Sequence, residues 1–346
     1  MKKEIKIGTA VLGGGKIAVQ SMTTVKTSDA DASVAQILRL EGAGCDIARV
    51  AVLDEADARA ISAVKSRVGI PVVADIHFSP RLAVLAAESG ADKLRVNPGN
   101  LGGEREVALV SDCLKAHNVP VRVGANTGSI EKSFLEKYGK SAEALVYSAL
   151  EQVRLFEKHG VRDIVISVKA SSVPLTVQAY ELLARETDYP LHLGVTEAGI
   201  ERTGLVKSSI GIGALLLQGI GDTIRVSLTD DPVKEVTAAH EILRACGLET
   251  DFVEVVSCPT CGRCQYDCMQ LAERVNARVQ GVKKRYKVAV MGCVVNGPGE
   301  AKDCDLGIAG GGDYCVIFRK GEILERIPAD RAEELFLARL GEELNA

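Results

Sequence analysis

The chain has 346 residues, with 42 Lys and Arg against 46 Asp and Glu, a net charge of −4. This balance excludes a general nucleic-acid-binding surface, which needs a basic excess, but leaves room for local Lys/Arg clusters that hold a phosphate. Apolar residues make up 47%, aromatics only 4% and tryptophan is absent, so the core is Val, Ile, Leu and Ala, as suits parallel strands covered by helices.

Residues 1–246 repeat one pattern, a short β-branched run followed by a turn and a helical stretch. The runs are IAVQSM (17–22), CDIARVAV (45–52), PVVADI (71–76), DKLRVNP (92–98), PVRVGAN (120–126), DIVISVKA (163–170), LHLGVTE (191–197) and DTIRVSL (222–228). Between them, stretches such as SVAQILRLEGAG (33–44), RLAVLAAESGA (81–91) and DPVKEVTAAHEILRAC (231–246) space their apolar residues as amphipathic helices do. Eight strand–helix units over this length predict a (β/α)8 TIM barrel in residues 1–250. An open doubly wound sheet would place a GxGxxG turn after an early strand; GIGALLLQGIG (211–221) comes late and lacks that spacing, and LGGGKI (12–17) reads as a hairpin tip.

Residues 251–346 read as a small α/β domain. DFVEVVS leads into a cysteine motif, a helical stretch (269–280) precedes the strand KVAVMG (287–292), and a glycine-rich loop, the extended segments DLGIAG and YCVIFRKGEIL, and the helix ADRAEELFLARL follow. No segment has 18 consecutive apolar residues, so no membrane span is expected. The start, MKKEIKIGTA, lacks signal- and transit-peptide features, which sets the expected location in the cytoplasm.

Active sites of such barrels form at the C-terminal strand ends. Here those ends carry Ser21, Met22, Thr23, Arg49, Asp75, His77, Arg95, Asn97, Arg122, Asn126, Lys169, Ser171, Thr196, Glu197, Arg225 and Ser227. Charges on barrel strands need partners. Arg49, Arg95, Arg122, Lys169 and Arg225 meet few carboxylates at their level and so predict a basic ring around a phosphate-bearing anion. Asn97 and Asn126 add neutral contacts. Asp75 and Glu197 fit either ion pairing or proton transfer.

The ten cysteines are uneven: seven crowd between Cys258 and Cys315. Without a signal peptide they point to metal, redox chemistry or core packing rather than disulfides. Cys258, Cys261, Cys264 and Cys268 have the C-x2-C-x2-C-x3-C spacing of a bacterial ferredoxin, although Met269 stands where proline would follow. Two CxxC pairs would also suit zinc. A second segment, MGCVVNGPGEA, sets Cys293 after a strand and Glu300 beyond a tight Gly-Pro-Gly turn.

SCPTCGR together with MGCVVNGPGEA resembles the 4-hydroxy-3-methylbut-2-enyl diphosphate synthase family of the non-mevalonate isoprenoid pathway. VQSMTT, VADIHF, LRVNPGN, LHLGVTEAG and GALLLQGIGDTIRVSLT resemble the same family, so the likeness spans the chain, in the two-domain bacterial form. The resemblance implies one [4Fe–4S] cluster held by Cys258, Cys261, Cys293 and Glu300. It implies two-electron reductive opening and dehydration of 2-C-methyl-D-erythritol 2,4-cyclodiphosphate, with flavodoxin or ferredoxin as donor, by a homodimer. On this reading the basic ring seats the substrate's phosphates. Glu197 hydrogen-bonds to or protonates the departing oxygen, and Glu300, a harder ligand than thiolate, is exchangeable. Two rivals, a radical S-adenosylmethionine barrel and a zinc-ribbon module on a degenerate barrel, would place their cysteines early or hold zinc in colourless protein.

Overall fold

The computed structural model describes residues 2–97, 101–295 and 297–345. The chain divides into two compact units, Met1–Leu248 and Glu249–Ala346.

The first unit opens with a hairpin, β1 (Ile5–Ile7) and β2 (Ala10–Leu12). Its tip is Gly8-Thr9, and Gly13–Gly15 form the loop after β2, a correction to the reading of that glycine run as the tip. Gly13, at φ +87°, lies against the backbone of the first residues: a Cβ there would lie 2.3 Å from the Lys3 carbonyl oxygen.

Eight strands follow: β3 (Ala18–Met22), β4 (Ile47–Ala51), β5 (Val72–Asp75), β6 (Lys93–Val96), β7 (Val121–Asn126), β8 (Ile164–Lys169), β9 (His192–Leu193) and β10 (Thr223–Ile224). They form one parallel sheet in the order β8-β7-β6-β5-β4-β3-β10-β9. The ring closes where the Ile166 N–H donates to the Pro190 carbonyl at 3.0 Å and Ile166 bridges Leu191. The expected TIM barrel is therefore present. Pro98, where the fourth predicted run ends, lies outside the described residues. The seventh and eighth strands are shorter than their predicted runs, because regular pairing stops before Gly194 and Arg225.

Helices α1 (Ala30–Gly42), α2 (Glu55–Lys65), α3 (Pro80–Glu88), α4 (Glu104–His117), α5 (Lys132–Tyr138), α6 (Ala142–Lys158), α7 (Val173–Glu186), α8 (Glu201–Leu216) and α9 (Pro232–Ala245) alternate with the strands. Their starts are chemically marked. The side chains of Asp29, Asp54, Ser79, Ser141, Ser172 and Asp231 each accept a hydrogen bond from a first-turn N–H, satisfying a donor the helix cannot pair. The apolar faces of these helices pack on the outward strand residues Val50, Ala74, Leu94, Val121, Ile166 and Ile224 in one core.

The barrel floor is a separate apolar layer. Ile5, Ile7 and Leu12 of the hairpin pack against Ala18, Ile47, Val73 and Val165 at the N-terminal strand ends.

In the second unit β11 (Val253–Ser257), β12 (Tyr286–Met291) and β13 (Leu306–Gly310) are parallel, and β14 (Tyr314–Arg319) and β15 (Glu322–Pro328) continue the sheet antiparallel. Helices α10 (Cys268–Val279) and α12 (Ala332–Asn345) bury Leu271, Val275, Phe336 and Leu340 in a core with Val288, Val290, Leu306 and Ile308. Between them the short helix α11 (Gly297–Glu300) follows β12.

Candidate active site

Outward residues of each barrel strand feed the helical core, so alternation turns the intervening ones inward. The inward set is unusually charged. Arg49, Asp75, Lys93, Arg95, Arg122 and Lys169 are all buried, with the neutral residues Gln20, Asn97, Ser167, His192 and Thr223. Four of the five cations expected from the strand ends stand there, and the fifth, Arg225, is partly buried just past β10.

Two carboxylates partly balance them. Asp75 Oδ1 accepts from Arg95 Nη1 at 3.0 Å, while Oδ2 lies 3.7 Å from Arg49 Nε and 3.5 Å from His77 Nε2. Burial alone would raise the Asp75 carboxyl, but Arg49, His77 and Arg95 overcome this and hold it well below the usual carboxylate range. The second is Glu235, on the first turns of α9. Its Oε2 accepts from Arg225 Nε at 3.2 Å and from the Ser21 hydroxyl at 2.9 Å; its Oε1 accepts from Arg225 Nη2 at 3.3 Å and from the Leu228 N–H at 3.0 Å.

Beyond these carboxylates the cations meet neutral groups. Arg122 Nη1 donates to Ser167 Oγ at 2.8 Å, and Arg49 reaches Met22 Sδ at 2.9 Å. Lys93 Nζ, Arg95 Nε, Arg122 Nε and Asn97 Oδ1 are buried with no hydrogen-bond partner among the described residues. Burial, then mutual repulsion, pushes the protonated forms of Arg122, Lys93 and Lys169 well below their ordinary range, and Arg49 down to about 10. Five cations (Arg49, Arg95, Arg122, Lys169, Arg225) and the buried Lys93 amine against Asp75 and Glu235 leave an interior that an anion would neutralise.

Two glycines make room for this charge. A Cβ on Gly194 would lie 2.6 Å from Lys169 Nζ and 2.7 Å from the Arg225 carbonyl oxygen, and one on Gly124 would lie 3.3 Å from Arg95 Nε. Asn126 is half-buried at the end of β7, its N–H donating to Ser129 Oγ at 3.0 Å. Glu197 differs from expectation: it is not on a strand but exposed in the turn after β9, at φ +51°. A non-glycine residue in this left-handed region is strained, a condition that accompanies functional loops.

In the second unit the cysteine loops sit at the C-terminal ends of parallel strands. Cys258 directly follows β11 and Cys293 follows β12 by two residues, with Glu300 closing α11. Cys258 Sγ accepts from the Gly292 N–H at 3.0 Å. Hydrogen bonds from the backbone and side chain of Arg263 hold the exposed Cys261 thiol below its usual range, favouring the thiolate that binds metal. The backbone leaves room here: a Cβ on Gly292 would lie 2.8 Å from Cys264 Sγ and 3.4 Å from Cys258 Sγ, and one on Gly310 would lie 2.6 Å from the Tyr266 ring.

Cys258, Cys261, Cys293 and Glu300, which follow the parallel strands β11 and β12, are of the donor types that an iron–sulfur cluster takes. Among the described residues no three Cys, His, Asp or Glu side chains gather tightly enough for one metal ion. Cys268, Cys304 and Cys315 are core residues, and burial pushes Cys268 up to about 12 and Cys304 up to about 11. Asn296, in the second motif, and Pro98, Gly99 and Asn100, in LRVNPGN, lie outside the described residues.

The GcpE TIM-barrel domain family matches residues 2–240, and the GcpE protein C-terminal domain family matches residues 254–342. The chain belongs to the GcpE family. The 4-hydroxy-3-methylbut-2-en-1-yl diphosphate synthase (flavodoxin) of Caldanaerobacter subterraneus subsp. tengcongensis is 55% identical over 339 residues, covering 97% of this chain and 96% of that protein. The enzymes of the same name from Desulfotalea psychrophila (53% identity, 98% and 95% covered) and Thermotoga petrophila (52%, 100% and 98%) are similarly related. The resemblance drawn from the motifs thus holds for the family, and this GcpE-family chain is an enzyme. Phospho-2-dehydro-3-deoxyheptonate aldolase from Thermotoga maritima shares the barrel (TM-score 0.54, 13% identity, 72% of this chain and 75% of that one). So does dihydropteroate synthase from Stenotrophomonas maltophilia (0.52, 18%, 70% and 96%). At these identities the likeness is one of fold alone. No helix among the described residues is long and apolar enough to cross a membrane.

Sequence reasoning missed two charged members of this GcpE-family site. Lys93 lies one inward position below Arg95, so the alternation that marked Arg95 and Asn97 also marks Lys93. Glu235 left no signal at a strand end, because it reaches the barrel from α9.

Proposed function

We propose that this chain reduces 2-C-methyl-D-erythritol 2,4-cyclodiphosphate to (E)-4-hydroxy-3-methylbut-2-enyl diphosphate and water in isoprenoid biosynthesis. The observation that carries the reading is the excess of buried cations in the barrel, which suits a compact dianionic substrate. Arg49, Arg95, Arg122, Lys169 and Arg225 bind its phosphates, and forked guanidinium groups suit paired phosphate oxygens. Asn97 and Asn126 orient it. Asp75 fixes Arg49 and Arg95, as Glu235 fixes Arg225, so the forks are preorganised. Glu197, in the turn after β9, hydrogen-bonds to or protonates the departing oxygen.

Cys258, Cys261, Cys293 and Glu300 would hold one [4Fe–4S] cluster, which would supply electrons one at a time, as zinc cannot. Glu300 is the exchangeable ligand, since a carboxylate binds iron less softly than thiolate. Flavodoxin, in the names of the related enzymes, is the electron donor we assign, with ferredoxin as substitute. The working form is a cytoplasmic homodimer, as the family resemblance implies.

Anaerobic purification with iron and sulfide analysis, followed by turnover of the cyclodiphosphate with reduced flavodoxin, tests the reading. Brown protein with a broad absorbance near ~400 nm and product formation support it. Colourless protein holding zinc, or an intact cluster with no product, overturns it. A Glu300→Cys variant with an intact cluster and undiminished turnover would remove the exchangeable-ligand role, and a fully active monomer would remove the dimer.

A further inference from the structure

Beneath the ring of cations lies a layer that the proposed reaction does not use. Gln20, Lys93, His192 and Thr223, on β3, β6, β9 and β10, are at most 1% exposed. The amide of Gln20, the Lys93 nitrogen, both ring nitrogens of His192 and the Thr223 hydroxyl have no hydrogen-bond partner among the described residues. Buried polar groups of this kind are costly unless something satisfies them. The apolar floor of Ile5, Ile7, Leu12, Ile47 and Val73 closes the layer from below.

We propose that Lys93 is the charge-balancing base of this barrel: neutral in the free enzyme, it takes one proton from solvent as a dianion seats above it. The inference rests on the proposed function only for the identity of that dianion. The balance is simple. Lys93 Nζ gains a proton and becomes an ammonium, bulk water supplies the proton, and no bond of the substrate breaks.

The surroundings of Lys93 dictate the direction. Facing the barrel interior are Arg49 from β4, Arg95 from β6, Arg122 from β7, Lys169 from β8, His192 from β9 and Arg225 directly after β10. Asp75 from β5 and Glu235 from α9 are the opposing carboxylates, and both are engaged by arginines. Burial, then repulsion by Arg122 and Arg49, drives the Lys93 amine toward its neutral form. His192 is driven the same way, chiefly by burial and Lys169. An amine starts at about 10.4 and an imidazole at about 6.5, so the same crowding leaves Lys93 nearer neutrality. Lys169 is driven the same way but is 8% exposed, against 0% for Lys93. Two negative charges placed among the arginines reverse the local field in a low-dielectric interior, and the fully buried Lys93 is the amine that regains a proton. Lys93 is thus a positioning residue that matches the interior to its ligand.

The test is calorimetric binding to the anaerobically purified enzyme near pH 8, in buffers of different ionisation enthalpy. The probes are the cyclodiphosphate and sulfate, both fully ionised there. We expect uptake of roughly one proton per cyclodiphosphate bound, with affinity falling roughly tenfold per pH unit across the coupled range. Uptake should vanish in Lys93→Met, which replaces an unpartnered buried amine by an apolar chain of similar length.

Binding of the cyclodiphosphate by the unaltered enzyme without proton uptake overturns the inference and leaves the proposed function standing. Uptake retained in Lys93→Met also overturns it. Sulfate binding with Lys93-dependent uptake, but no binding of the cyclodiphosphate, upholds the role of Lys93 and rejects the proposed substrate. No binding of either anion rejects both. The first of these measurements needs no variant, so a poorly folded Lys93→Met leaves the test intact.

Discussion

Asp75 and Arg95, inward neighbours on adjacent barrel strands, are joined by a 3.0 Å charge-assisted hydrogen bond and are both nearly inaccessible to solvent. Asp75 also faces Arg49 and His77, so one carboxylate organises three cationic or ionisable groups. Asp75→Asn should therefore lower stability by about 3 kcal/mol, the scale for removing one partner of a buried pair. A thermal melt at neutral pH checks this, and an unchanged midpoint would contradict it. The sign of the pH effect follows from the depressed carboxyl. Its contribution is complete above the unfolded value of about 3.9 and is lost as pH falls below that toward the folded value, so the two proteins should converge in acid.

The crowded bases work in the opposite direction. Lys93 and Lys169 are held below their ordinary values in the fold. Between the folded value and about 10.4, the unfolded chain binds protons that the folded chain does not. Without ligand, stability should rise with pH over the alkaline part of that window. Lys93→Met should flatten the rise and hold the melting midpoint at or above that of the unaltered protein near neutrality. Denaturant midpoints at pH 7, 8 and 9 measure both, and an unaltered slope in the variant would refute the first.

Cysteine variants divide into two groups. Cys258→Ser, Cys261→Ser and Cys293→Ser should each lose most of the iron, read as visible absorbance and iron content. Cys304→Ala and Cys315→Ala should keep it, because both thiols are buried in the core of the second unit, and should cost about 1 kcal/mol in stability. Cys264→Ser is the informative comparison, since Cys264 and Cys258 flank Gly292 closely. Full iron content in that variant is the expected result.

Gly194→Ala should impair substrate binding more than its size suggests. The new methyl would meet Lys169 Nζ at 2.6 Å and the Arg225 carbonyl oxygen at 2.7 Å. The lysine can bend away but the backbone cannot, so we expect a KM raised roughly tenfold and a destabilisation of about 1–3 kcal/mol. Steady-state kinetics together with a melt check the pair of effects.

The barrel was legible because alternation and helix spacing repeat eight times, and a repeated pattern survives errors in any one copy. Its shortest strands, His192–Leu193 and Thr223–Ile224, were read too long, since β-branched residues mark an extended chain whether or not it pairs. The inward cations were legible as strand-end charges. Glu235 was not, because a helix residue shows its periodicity but not which strand it reaches. Glu197 was assigned to a strand because LHLGVTE continues an apolar run, whereas the chain turns at Thr196-Glu197. In the second unit, cysteine spacing alone could not separate the core thiol Cys268 from its loop neighbours. That distinction depends on α10 beginning at Cys268 and carrying it into the sheet.

The hairpin beneath the barrel makes the first unit a cup with a single opening. The first described residues of the chain lie at that base, where the Lys3 N–H donates to the Asp188 carbonyl at 3.0 Å and Lys2 pairs with Asp222. An affinity tag or surface tether attached at that end would hold the first unit by its closed side and leave the mouth clear for ligand traffic.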